Sequence, residues 1–150
     1  MQPVRQIREM MALAMLAVSS YTDIRQRCIY LVPLIVPAAG AVAISVLCRL
    51  SGYPTDVPVY DPAAAILTGV VLVIAVKCFK SYMGSGDGYL IAALGIVIGT
   101  NRNLLSVMLA LILAAVFSVC IILSGKRSIK SIPFAPFLMA GFILVLIKNV

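Results

Sequence analysis

The chain has 150 residues, 63% of them hydrophobic and only 11% charged, with a mean hydropathy of +1.12. Soluble domains carry about 45–50% apolar and about 25% charged residues, so a water-soluble fold is excluded and a lipid solvent is indicated. His is absent, which removes Ser-His-Asp and Cys-His catalysis and imidazole metal sites. Cys28, Cys48, Cys78 and Cys120 are far apart and form no Cys-x-x-Cys pair, so neither a metal site nor a redox motif is expected. The net charge of +7 comes from Lys and Arg residues that punctuate apolar stretches. That spacing suits anionic lipid headgroups, and no nucleic-acid partner is expected.

Taken in order, the apolar runs predict an all-α, polytopic integral membrane bundle of about six transmembrane helices, near 5–22, 30–50, 62–80, 87–100, 103–124 and 133–149. The runs Cys28–Cys48 and Asn103–Gly125 are each long enough to cross the hydrocarbon alone. The others reach that length with flanking residues such as Lys77, Lys80 or Lys148, whose stems can snorkel. The first run, with Arg5 and Arg8 ahead of it, has some features of a secretory signal; a retained first helix is expected, because further spans follow at once. Three connections carry loop signals: Ser51–Pro62, with three prolines; the Gly-rich Ser81–Gly88; and the basic Ser124–Pro133, whose Pro can open the last helix. Residues 1–150 read as one transmembrane domain.

Six crossings put Arg25, Arg27, Lys77, Lys80, Lys126, Arg127 and Lys130 on one side, and Arg5, Arg8, Arg49, Arg102 and Lys148 on the other. By the positive-inside rule the first side is cytoplasmic, making the protein a multi-pass protein of the cell membrane.

Only five acids are present. Asp56 and Asp61 fall in the polar second loop, with Asp61 a helix cap before Pro62; Glu9 lies close to Arg5 and Arg8, one helical turn from the first, which predicts an ion pair within the helix. Asp23 ends the first helix and Asp87 begins the fourth, so parity sets both at the same face. Two carboxylates at one depth suit an aspartyl dyad that activates water without metal or cofactor. The competing explanation is separate pairing, of Asp23 with Arg25 or Arg27, and of Asp87 with Lys80 or as a helix cap. Beyond Asp87, Gly88, Ala92, Gly95 and Gly99 share one helix face and predict close helix packing.

These residues bear a family resemblance. Gly84-Ser85-Gly86-Asp87 resembles the Gly-x-Gly-Asp motif of intramembrane aspartyl proteases, shared by prepilin peptidases and presenilin-like enzymes. Tyr21–Arg27 resembles the first-aspartate motif of the prepilin peptidases, and Ile132-Pro133-Phe134-Ala135-Pro136-Phe137-Leu138 is similar to their Ile-Pro-Phe-Gly-Pro-Phe-Leu motif at the last helix. The three stand in family order. The resemblance implies an endopeptidase that cuts the short basic leader of type IV prepilins or pseudopilins at the cytoplasmic membrane face. Asp23 and Asp87 would be its catalytic pair, and Gly84 and Gly86 would shape the turn presenting the second Asp. Pro133 and Pro136 would have a packing role at the start of the last helix.

The chain departs from the family pattern at Tyr89, where a Lys is usual, and at Tyr30-Leu31, where Pro-Asn is usual. It lacks the insert with paired Cys-x-x-Cys zinc ligands, so it looks like a short form, and the resemblance leaves S-adenosylmethionine-dependent N-methylation open. Two readings from other classes compete: a small proton-coupled transporter, and a structural subunit of a membrane assembly in which the Asp pair only orients helices.

Overall fold

Helices are the only regular elements among the described residues of the computed structural model, which are 2–26, 29–51, 67, 70, 85–124 and 133–148. They are α1 (Gln2–Gln26), α2 (Val32–Leu50), α3 (Ser85–Ile98), α4 (Thr100–Leu123) and α5 (Ala135–Ile147). The all-helical expectation therefore holds. A third helix near 62–80 falls outside the described residues except for Leu67 and Val70, both helical, so the count of six spans is not established. Asp56, Asp61, Cys28, Cys78, Gly84, Arg27, Lys77 and Lys80, and the basic loop at 125–132, also lie outside them.

Several boundaries differ from the sequence reading for local reasons. α1 extends beyond 5–22 at both ends, supported by the Arg5–Glu9 pair one turn apart and by Arg25 in its last turn. Asp23 consequently sits inside the last turn of α1 rather than after it. α3 starts at Ser85, so Gly86, Asp87 and Gly88, expected in a turn, already belong to its first helical turn. The break between α3 and α4 falls at Gly99, with φ of 89°, instead of at Asn101–Arg102. Only a residue without Cβ adopts that conformation cheaply, so one glycine replaces a loop. The last helix begins at Ala135 with Phe134 as its N-cap; Pro136, rather than Pro133, occupies the first turn, where its missing N–H costs nothing.

The core is one cluster in which Leu90, Ile91, Leu94 and Val97 of α3 are buried together with Met15 and Leu16 of α1 and Leu138 and Phe142 of α5. α3 itself packs on α2, α4 and α1. The most extensive packing is between α4 and α5, followed by α1 with α5 and α2 with α3. At the α4–α5 seam the backbones touch: a Cβ on Gly141 would lie 2.5 Å from the carbonyl oxygen of Ser106. The small-residue face of α3 is enclosed, with Gly88, Gly95 and Gly99 buried and Ala92 half-buried.

α4 is as apolar as α3 but has the opposite surroundings. It is 24 residues long, and only 17% of its most apolar window is buried, so one described helix is long and apolar enough to cross a membrane. The helices Val32–Cys48, Gly86–Ile98 and Ala135–Ile147 are apolar but shorter.

Candidate active site

The two aspartates singled out in the sequence come together at one end of the bundle. Asp23 from the last turn of α1 and Asp87 from the first turn of α3 are both buried, each 8% exposed. They lie within electrostatic reach of one another. Antiparallel α1 and α3 bring the C-terminal end of one beside the N-terminal end of the other. Residues 64 positions apart thereby become neighbours.

The start of α5 completes the arrangement. The backbone N–H of Ala135 donates to Oδ2 of Asp23 at 3.1 Å. The first N–H groups of a helix have no partner inside it, so a carboxylate oxygen is a natural acceptor there. The Pro133–Pro136 segment, read from the sequence as packing only, thus supplies a direct contact to Asp23. No side-chain pattern announces this, because the donor is main chain.

Of the separate ion pairs considered for the aspartates, that of Asp23 with Arg25 does not form, while Arg27 and Lys80 lie outside the described residues. Arg25 turns away from Asp23: its Nη1 donates to the Tyr21 hydroxyl at 2.7 Å, and its guanidinium lies over the Tyr21 ring. Neither aspartate has an ion-pair partner among the described residues. Gly86, just before Asp87 in the first turn of α3, packs against the α1–α2 connection; a Cβ there would stand 3.0 Å from Cβ of Ile29. Tyr30, which follows, donates from its hydroxyl to Oε1 of Gln26, and Tyr89 is exposed. One turn before Asp23, the Ser19 hydroxyl is fully buried and has no hydrogen-bond partner among the described residues.

Chemically, the site offers two enclosed carboxylates, a backbone donor that orients one of them, and no group of His, Cys, Asp and Glu among the described residues that could hold a metal ion. Paired carboxylates of this kind can share protons and act on water.

Comparison with known families decides the broader identity. The sequence profile of the type IV leader peptidase family matches residues 10–119, which include both aspartates. The chain belongs to the type IV leader peptidase family. It is accordingly a peptidase of a membrane-associated family whose substrates are prepilin-type proteins. The matched stretch ends before Pro133, so the leader-peptidase match does not rest on the α5 segment that touches Asp23. No curated protein and no solved structure gives a significant match to the chain.

Proposed function

We propose that this leader peptidase is an intramembrane aspartyl endopeptidase, a single multi-pass domain over residues 1–150, with Asp23 and Asp87 as its catalytic pair. The observation that carries this reading is the burial of both carboxylates side by side at one end of the bundle, with Asp23 held by Ala135 N–H. Buried acids are costly in an apolar chain, and a pair with no counter-cation among the described residues calls for a chemical reason.

In this mechanism one carboxylate takes a proton from water as the water oxygen attacks the scissile carbonyl carbon. The other carboxyl gives its proton to the carbonyl oxygen, and a tetrahedral diol forms. Collapse of the diol breaks the C–N bond, and a proton passes to the leaving amine. No metal, cofactor or covalent intermediate takes part in these steps. Gly86 allows close backbone approach at the start of α3, and Gly84, outside the described residues, would shape the turn before it as the family motif implies. The substrate is a type IV prepilin or pseudopilin whose apolar helix lies among the enzyme's helices and whose basic leader stays at the cytoplasmic face of the bilayer. Positive charge in the loops assigned to that face supports this orientation.

The decisive experiment is cleavage of a purified prepilin in detergent by the wild-type chain and by Asp23→Asn and Asp87→Asn. Loss of cleavage by both folded variants supports the dyad; full cleavage by either removes it. Proton flux in liposomes without any cleavage would instead favour the transporter.

A further inference from the structure

The opposite end of the bundle holds a second buried charge. Arg8, on α1, is 7% exposed, and a cation at that burial requires strong compensation. Its Nε donates to the carbonyl oxygen of Val97 at 2.7 Å and its Nη2 to that of Ile96 at 3.0 Å. Nη1 also reaches Oγ of Ser45 on α2 at 3.5 Å. Ile96 and Val97 belong to the last turn of α3, where carbonyls lack partners within the helix and the dipole favours a cation. The next residue, Glu9, accepts from Nη1 of Arg102 at 3.0 Å, in the first turn of α4. Consecutive residues of α1 therefore grip both sides of the Gly99 elbow, Arg8 the end of α3 and Glu9 the start of α4.

We propose that Arg8 is a positioning residue for the aspartate pair, fixing the axial register of α3 against α1. This inference rests on the proposed role of Asp23 and Asp87. At a rise of about 1.5 Å per residue, Asp87 lies about 15 Å along α3 from Val97, and Asp23 about 22 Å along α1 from Arg8. Helices are stiff along their axes, so a slip at the Arg8 contact moves Asp87 relative to Asp23 by a similar amount. An ångström of misalignment in a reacting constellation costs on the order of 100-fold in rate. Lys in place of Arg keeps the charge but cannot present the planar fork to two adjacent carbonyls.

The test uses the full chain in lipid nanodiscs, with the four cysteines replaced by Ser and spin labels at Met10→Cys and Tyr89→Cys, two exposed positions well separated along the bundle axis. A slip of one residue's rise, about 1.5 Å, in Arg8→Gln should shift or broaden the distance between labels by about 1 Å or more. Unlabelled Arg8→Gln should lose at least about tenfold in kcat for prepilin cleavage, with KM unchanged and Arg8→Lys intermediate. An unchanged distance distribution overturns the proposal whatever the activity, and so does a kcat loss that merely tracks the folded fraction. If Arg8→Gln does not fold, the same two readouts on Arg8→Lys decide. Asp23→Asn in parallel separates the two ideas: retained cleavage there defeats the catalytic pair, while the label distance still reports the register.

Discussion

The backbone N–H of Ala135 donates to Oδ2 of Asp23 at 3.1 Å, so the last helix of the chain holds a carboxylate on the first. This contact separates structural from chemical roles for Asp23. Asn retains an acceptor oxygen, so Asp23→Asn should melt within about 1 kcal/mol of wild type while losing at least about 100-fold in cleavage rate. Asp23→Ala leaves the buried N–H without an acceptor and should cost about 1–3 kcal/mol in addition. Thermal melts in detergent beside a prepilin cleavage assay measure both. Equal melting temperatures for Asn and Ala would show that the Ala135 contact does not stabilise the fold.

Gly86 is limited by space. A Cβ at 3.0 Å from Ile29 forces the α1–α2 connection or the first turn of α3 to yield by a few tenths of an ångström. Gly86→Ala should therefore lower kcat on the order of tenfold with little loss of stability. Trimming the neighbour in Gly86→Ala/Ile29→Ala should return part of the rate, because the smaller side chain lets the connection move. Steady-state cleavage kinetics on the two variants would show the coupling.

Gly141 presents a harder limit, since its neighbour is the main chain of α4. Gly141→Ala should destabilise the protein by about 1–3 kcal/mol through separation of α4 from α5. Gly141 lies away from the aspartates, so cleavage per folded molecule should stay close to wild type. A melt combined with active-site titration distinguishes lost protein from slowed chemistry.

The exposed face of α4 tests the membrane reading. Leu111 and Ile112 lie mid-helix and are exposed, as is Asn101 in the first turn. In a cysteine-free background, Leu111→Cys and Ile112→Cys in native membranes should resist a charged maleimide until the bilayer is dissolved. Asn101→Cys should label without detergent. Rapid labelling of the mid-helix positions in intact membranes would contradict a lipid-facing α4.

What the sequence made legible was the scarcity of charge. Because five acids serve the whole chain, Asp23 and Asp87 could be picked out before any contact was known. The Arg5–Glu9 pair was readable too, since its spacing of one turn is local, and it forms at 2.8 Å. Contacts that depend on main-chain groups were not readable: Ala135 N–H on Asp23, and the Val97 and Ile96 carbonyls under Arg8. Nor did composition separate α3 from α4, both largely apolar beyond their first turns, although one is mostly buried and the other mostly exposed. Burial of a uniformly apolar helix is set by its neighbours, and no periodicity within the segment records it.

The touching backbones at Gly141 and Ser106 bear on how a substrate helix gains access. A seam filled by long side chains can open by rotamer changes, but one closed by main chain has nothing to rearrange. α4 and α5 should then move as a single plank, and a pilin helix entering the bundle has to part the helices along a different line.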